Sequence, residues 1–280
     1  MNDQLADIDL EKAPSPGDGV PPPPRTQLPV VALVVAAVLL FGLTAAYVFL
    51  RRAPAASEAP ANVAKPAPAP EARREEIALP PLDETDPIVR QLVEKLSSHP
   101  MVARWLTTDA LVVNFVAVTS RIASGVTPAG ELKTMGPVPR FTTRTSGDNT
   151  YLDRASYRRY DRYAEAISTL DARGTVGLYN TLKPRIRDAY ARLVSRNDDF
   201  DPVLERAIIE LLEVPVVDAN IALQPHGTVW AFEDPSLQGL TAAQKQLLRM
   251  GPQNVRAIQS KLREIASGLG IPESRLPPQK

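Results

Sequence analysis

Few side chains in this sequence have the types and spacing that catalysis or metal binding needs. There is no cysteine, and His99 and His226 are the only histidines. This composition excludes disulfides, thiolate metal sites and cysteine nucleophiles, and it leaves almost no material for a histidine-based metal site or catalytic triad. His226 lies in a Pro-His-Gly turn, which favours a hydrogen-bonded turn residue over the alternative of a catalytic base. We therefore predict no cofactor, no metal and no enzymatic activity.

Three aspartates, Asp198, Asp199 and Asp201, cluster in the segment RNDDFDPVLE. Calcium loops also place carboxylates close together, but they need a glycine at the turn and a bidentate glutamate at the twelfth position. This segment contains no glycine. The favoured interpretation is therefore a loop followed by a helix N-cap, at the Asp-Pro pair that begins the next helix.

The segment YLDRASYRRYDRYAEA is the strongest surface candidate. On one continuous helix, its tyrosines at three-residue spacing would form an aromatic edge beside arginines. Both residue types are enriched at protein interfaces. The residues predicted to form a partner surface are Tyr157, Arg158, Tyr160, Arg162 and Tyr163. The favoured interpretation of the segment, however, is that the tyrosines pack half-buried while the arginines pair with Asp153 and Asp161.

A second cationic segment, LLRMGPQNVRAIQSKLREI, resembles the helix-hairpin-helix modules that bind nucleic acid. Those modules carry glycine-hydrophobic-glycine in the turn, so that backbone N–H groups can approach a phosphate. Here Arg249 stands at the first glycine position, before Met250 and Gly251. A helical stripe follows Pro252 and favours a packing unit; it consists of Val255, Ile258, Leu262, Ile265 and Leu269. Because the net charge is also zero, no nucleic-acid partner is expected.

These segments must be positioned by a folded domain, which we predict over residues 77–270. Helical periodicity dominates it, with Trp105, Leu111, Phe115 and Val118 as core candidates. Turn residues at 146–149 and 225–227 predict short hairpins. The predicted fold class is mainly α: a compact multi-helix domain with one or two short β-hairpins, on a single N-terminal transmembrane helix. Residues 271–280 are predicted to be a disordered C-terminal tail.

The transmembrane prediction rests on residues 28–50, LPVVALVVAAVLLFGLTAAYVFL, which contain no charge. At about 1.5 Å per residue this run spans roughly 34 Å, enough to cross a bilayer core of about 30 Å. A cleavable signal peptide would have a shorter apolar core and a short basic start. Before the run we predict a disordered acidic, proline-rich tail at 1–27, and after it an Ala/Pro-rich linker at 51–76.

The orientation of this helix is less clearly indicated. Lys12 and Arg25 precede it, and three basic residues follow it, at 51, 52 and 65, which leans slightly toward a cytoplasmic domain. A short tail, one span and a stiff stalk are typical of envelope proteins whose domain lies outside. We therefore expect a single-pass protein of the bacterial inner membrane with a periplasmic domain.

Four segments also resemble a known family: LPPLDETDPIVRQLV, ARWLTTDALVVNFV, YLDRASYRRYD and TAAQKQLLRMGPQNVRAIQSKLREI. They are similar to a bacterial membrane-anchored family, domain of unknown function 3014, over roughly residues 78–268. The resemblance implies an anchored, envelope-facing domain and supplies no activity and no catalytic residues.

The expected function is a protein-interaction or scaffolding module of the cell envelope. Its expected partners are the lipid bilayer, through residues 28–50, and another envelope protein, while its oligomeric state stays open. The alternatives are an envelope enzyme acting on cell-wall material and cytoplasmic nucleic-acid binding through the C-terminal hairpin.

Overall fold

The structure, a computed structural model, describes residues 79–128, 130, 136–137, 140–194, 198–227 and 229–279. The predicted tail, transmembrane helix and linker, at 1–27, 28–50 and 51–76, lie outside these residues. Within the described part, no single helix has the length and apolar character to cross a membrane. One pair of helices, Pro100–Leu106 and Leu111–Ala123, is long and apolar enough only when the two are counted together, by length and composition alone, and the pair is bent by 109° at the break.

Helices make up most of the described chain, together with four short strands. The helices are α1 (Asp86–Glu94), α2 (Pro100–Leu106), α3 (Leu111–Ala123), α4 (Arg154–Arg158), α5 (Asp161–Ser168), α6 (Ala172–Val194), α7 (Asp201–Leu212), α8 (Pro235–Gln238), α9 (Ala242–Leu248) and α10 (Pro252–Gly268). The strands are β1 (Thr143–Ser146), β2 (Asn149–Leu152), β3 (Ala222–His226) and β4 (Val229–Phe232). Short 3-10 helices lie at Leu82–Glu84 and Glu273–Arg275. The mainly helical prediction is confirmed.

The core is organised around α3, which is apolar on nearly all sides. It packs against α6 and α7, and α10 covers α5, α6 and α7. Phe115 of α3 is fully buried, and its ring centroid lies 5.8 Å from that of Phe200. The predicted core residues Trp105, Leu111 and Val118 are also buried. Each such side chain contributes about 1.5–3 kcal/mol by leaving water, so helix packing is the main source of stability.

The two predicted hairpins are confirmed, but they join into one sheet that the sequence did not indicate. The strand order is β1-β2-β3-β4, and every neighbouring pair is antiparallel. Tyr151 of β2 pairs with Ala222 of β3, which links chain segments about 70 residues apart. Leu152, Leu223 and Phe232 are buried, so one side of this small sheet completes the helical core.

The helix starts follow sequence signals only in part. Thr241 and Gln244, three residues apart before an apolar run, form a capping box at the start of α9. Asp86 stands before Pro87 but does not cap α1: it is the first residue of that helix, and its carboxylate accepts hydrogen bonds from the N–H groups of Ala110 and Leu111, at 2.7 and 2.9 Å. Because these two N–H groups begin α3, Asp86 caps a helix 25 residues away, which no local pattern reveals.

The C-terminal segment is packed on the domain, so the predicted disordered tail at 271–280 is corrected for its described residues. Beyond Gly270 (φ +80°) the chain turns back and Leu276 is only 7% exposed. Arg263 of α10 holds the segment through Glu273, with Nη1 to Oε1 at 2.8 Å, and through the carbonyl of Pro277. An apolar anchor and a guanidinium together therefore extend the packed domain to Pro277.

Candidate functional site

The turn between α9 and α10 packs its glycine against another part of the domain. Gly251 has φ +87° and ψ 160°, a conformation open essentially to glycine alone. A Cβ at this position would lie 2.4 Å from Cγ of Tyr157. The close approach that this glycine permits is therefore made to an aromatic ring of α4. The predicted apolar stripe of α10 is confirmed as a packing face, because Val255, Ile258 and Leu262 are buried.

Arg249, at the first glycine position of the helix-hairpin-helix comparison, points at the sheet. Its guanidinium carbon lies 5.0 Å from the centroid of the Phe232 ring, a cation–π arrangement. Burial lowers the pKa of Arg249. Its charge is thus directed into the domain, toward the buried Phe232 of β4.

The predicted partner surface is partly wrong, because two of its tyrosines are core residues. Tyr160 is fully buried and Tyr163 is 5% exposed. The continuous helix assumed from their spacing is interrupted: α4 ends at Arg158 and α5 begins at Asp161. The Tyr160 hydroxyl accepts hydrogen bonds from Arg159 at 2.9 Å and Gln246 at 3.3 Å, and these bonds allow the phenol to be buried. Burial raises the pKa of Tyr160.

The remaining residues of that predicted surface separate into two places. Tyr157 is half-buried and Arg158 is exposed, and both line a cleft of about 350 Å³. Arg162 is exposed and is not among the residues of that cleft. A second cavity of about 340 Å³ shares Leu152, Arg154 and Asn220 with the first. The two cavities therefore adjoin, and we call them together the arginine groove.

The arginine groove lies where α4, the start of α10 and the segment before β3 meet the sheet. Its charged lining consists of Arg144, Arg154, Arg158, Arg256, Asp153, Asp161 and Asp218. Arg154 and Arg158 are the first and last residues of α4, four positions apart, and this spacing places them on the same face of the helix. The total volume is within the range of natural ligand sites, which is about 300–1,000 Å³.

The acids of the groove already have donors. Asp153 accepts from the N–H of Ala155 at 2.8 Å, which caps α4. Asp161 accepts from the side-chain amide of Asn254 at 3.0 Å. Asp218 is paired with Arg256.

Three of the four arginines have no such partner. Within the part of the chain that the structure describes, no carboxylate pairs with Arg144, Arg154 or Arg158. Arg144 instead lies over the Tyr151 ring, whereas Arg154 and Arg158 are exposed on α4 and are available to a ligand. The arginine groove therefore presents two exposed guanidinium groups of α4 that have no ion-pair partner.

The start of α10 adds to the positive potential of the groove. Gly251 is the N-cap and supplies no side-chain acceptor. Pro252 has no N–H, and the N–H groups of the next two residues, Gln253 and Asn254, have no acceptor inside the helix because of their position. The aligned peptide dipoles of this 17-residue helix place a partial positive charge at the same end.

The aspartate cluster has a structural role. Asp201 was predicted as an N-cap, but Phe200 holds that position and Asp201 is the first residue of α7. Its carboxylate instead accepts a hydrogen bond from the Tyr179 hydroxyl at 2.5 Å and pairs with Lys183. Burial, followed by the bond to Asp201, raises the pKa of Tyr179, so this phenol remains a hydrogen-bond donor. The residues that the structure describes contain no group of three or more His, Asp or Glu side chains that could hold a metal ion.

Neither histidine lines the arginine groove. His99 caps α2, because its Nδ1 accepts from the N–H of Met101 at 3.1 Å, while its Nε2 lies 3.8 Å from Glu165. His226 is exposed at the end of β3, opposite Val229. The predicted turn position of His226 is therefore wrong by one residue, because the turn begins at Gly227 and His226 ends the strand.

The fold and the groove together define a mainly helical domain with a four-stranded antiparallel sheet and an arginine-lined cleft. The chain belongs to the family described as Protein of unknown function (DUF3014), whose model matches residues 111–266. The match runs from α3 into α10 and includes every residue of the arginine groove. No curated protein and no solved structure matches this sequence.

Sequence reasoning found Tyr157 and Arg158 but missed the rest of the groove. The four-residue spacing of Arg154 and Arg158 was an available signal, since it places two guanidinium groups on one helical face. Arg144 and Arg256 carried no such signal. They reach the groove through strand pairing and helix packing between distant segments, which a local pattern does not describe.

Proposed function

We propose that this protein is a membrane-anchored interaction module of the cell envelope, and that it binds a partner protein through the arginine groove. The observation that carries the proposal is the pair of exposed arginines, Arg154 and Arg158, without a carboxylate partner among the described residues. A cleft with uncompensated guanidinium groups beside a half-buried tyrosine has the composition of a recognition surface, since Arg and Tyr are the residues that interfaces use most.

The location in the envelope is supported by the sequence before the domain. Residues 28–50 are long and apolar enough for a membrane helix, and the Ala/Pro-rich linker at 51–76 suits a semi-rigid stalk of about 3.1 Å per residue. We infer an inner-membrane anchor with the domain on the periplasmic side. Alkaline phosphatase fused after Lys280 tests this: an active fusion supports the periplasmic side, and an inactive but stable fusion refutes it.

Binding through the groove is tested by site-specific photocrosslinking in the full-length, membrane-inserted protein. A photoreactive residue replaces Gln253, which is exposed and lines the groove. The control position is Ser260, exposed on the same helix and outside the groove. We expect a discrete crosslinked adduct from position 253 and none from position 260. Equal adducts from both positions, or none from either, would refute a partner site at the groove.

The geometry gives less support to the other two functions considered. Nucleic-acid binding through the α9–α10 hairpin needs a turn whose backbone can approach a phosphate, and the ring of Tyr157 occupies the open side of Gly251. An envelope enzyme acting on cell-wall material needs a base or a carboxylate directed at a substrate. Asp161 and Asp218 are instead hydrogen-bonded to Asn254 and Arg256.

A further inference from the structure

We propose that the arginine groove receives an acidic segment of the partner protein in an extended conformation, with side-chain carboxylates of that segment bound by Arg154 and Arg158. This inference rests on the proposed function and names the chemistry of the ligand. It follows from three features of the groove: its free cations, its two adjoining cavities and its mixed charge.

The free cations define what binds. A guanidinium group presents a planar fork of N–H donors that matches the two oxygens of a carboxylate. Arg154 and Arg158 lie one helical turn apart, about 5–6 Å between Cβ atoms, and each lacks a carboxylate partner within the described chain. Two carboxylates from one segment therefore fit this pair better than a single ion does.

The two adjoining cavities favour an extended segment. They share Leu152, Arg154 and Asn220, while Arg144 lines only the second cavity and Arg158 and Arg256 line only the first. The Arg144 guanidinium carbon lies 5.4 Å from the centroid of the Tyr151 ring. Because successive residues of an extended chain are separated by about 3.3 Å, a short peptide in this conformation can place side chains in both cavities.

The mixed charge argues against a phosphate polymer or a membrane surface. Four arginines and three aspartates line the groove, so the lining carries a net charge of only +1 (four minus three). Asp153 and Asp161, whose hydrogen-bond donors are neutral, would repel the closely spaced phosphates of a nucleic acid. A bilayer surface does not enter a concave cleft. A peptide can place its carboxylates at the arginines and keep its backbone N–H groups beside the aspartates.

The test measures binding of defined probes to the purified full-length protein in a neutral detergent. The first probe is a fluorescein-labelled hexapeptide of glutamate with blocked ends, and its binding is measured by fluorescence anisotropy. Matched probes are the corresponding glutamine hexapeptide, inorganic phosphate as a competitor, and vesicles containing an anionic phospholipid. We expect the glutamate peptide to bind and the other probes not to bind. The affinity of the glutamate peptide should fall as added salt screens the charges.

The variants assign that binding to the groove. The double variant Arg154→Gln/Arg158→Gln should bind the glutamate peptide with an affinity at least about tenfold lower, since the loss of one charge-assisted contact alone has an effect of that order. Arg162→Gln removes an equal charge four positions beyond Arg158 and outside the groove, and it should change affinity less than about twofold. Both variants alter exposed side chains, and unchanged thermal unfolding confirms that they fold.

The outcomes separate this inference from the function on which it rests. The acidic-segment inference is overturned by any of three results. The glutamate peptide does not bind, Arg162→Gln loses as much affinity as the double variant, or inorganic phosphate competes with the peptide at equal charge. Tighter binding to anionic vesicles than to the peptide also overturns it, in favour of a lipid ligand. If the adduct at position 253 persists in the double arginine variant, the acidic-segment inference fails and the proposed function stands. Absence of any adduct at position 253 contradicts the proposed function itself.

Discussion

Replacing Gly251 with alanine should destabilise the domain more than the same change at any exposed turn. Gly251 combines two constraints: a backbone conformation at φ +87° and ψ 160°, and contact with the ring of Tyr157. A Cβ would lie 2.4 Å from Cγ and 2.8 Å from Cβ of Tyr157. A rotamer change would move Cγ but not Cβ, whose position is fixed by the backbone, so the contact at 2.8 Å would remain and α4 or α10 must shift.

The magnitude follows from these two terms. Holding an L-residue in this glycine region costs about 1–3 kcal/mol, and forcing an extra carbon into a packed contact costs about 1–3 kcal/mol more. We therefore expect Gly251→Ala to lower the free energy of unfolding by about 2–6 kcal/mol. Gly270→Ala is the matched control, because Gly270 also has positive φ, at +80°, but a Cβ there meets no atom within 4 Å.

Urea unfolding of the full-length protein in detergent, followed by tryptophan fluorescence, measures both variants; Trp105 is 1% exposed and reports on the core. Gly251→Ala should exceed Gly270→Ala by about 1–3 kcal/mol, the contribution of the clash. Adding Tyr157→Ala to Gly251→Ala should cost less than the sum of the two single changes, because both act on one contact. Equal destabilisation by the two glycine changes would show that this reasoning is wrong.

Three further predictions use the same unfolding measurement. Asp86→Ala removes the remote cap of α3 and should cost about 0.5–2 kcal/mol; a value near zero would mean that the cap bonds to Ala110 and Leu111 contribute nothing. Leu276→Ala should cost about 2 kcal/mol, at the low end for a buried leucine, and should increase limited proteolysis after Gly270; an unchanged digest would contradict a docked C-terminus. Burial disfavours the charged carboxylate of Glu210 and raises its pKa. The ionised carboxylate therefore destabilises the folded state at neutral pH. This destabilisation is relieved as pH falls and the carboxyl group takes up a proton. Glu210→Gln should therefore stabilise the domain at pH 7, with the gain shrinking toward acid pH; a gain that grows toward acid pH would refute the sign.

Local features of the fold were predictable because they depend on residues within one or two turns. The apolar stripe of α10, the capping box of Thr241 and Gln244 and the hairpin turn at Gly147 are all set by neighbours close in the chain. The same reasoning failed for the tyrosines. A three-residue spacing describes one helical face, but it does not reveal that the helix breaks before Tyr160 or which face is buried.

The candidate site was predictable only in its α4 part. Tyr157 and Arg158 are marked by composition, and Arg154 by its spacing from Arg158. The opposite wall of the groove depends on β2 pairing with β3 and on α10 packing against α5. Such contacts join segments far apart in the chain, and no residue near Arg158 carries information about them.

By itself, the sequence determined the class of chemistry and the local elements: the absence of cysteine excluded thiol chemistry, and periodic apolar residues specified helices. The tertiary structure decided what those elements do together. It turned Asp86 into a cap for a distant helix, buried Tyr160, and docked Leu276. It also left Arg154 and Arg158 exposed and without an ion-pair partner among the described residues. The physical reason is that burial and charge pairing are properties of the packed assembly, whereas residue type and periodicity are properties of the chain.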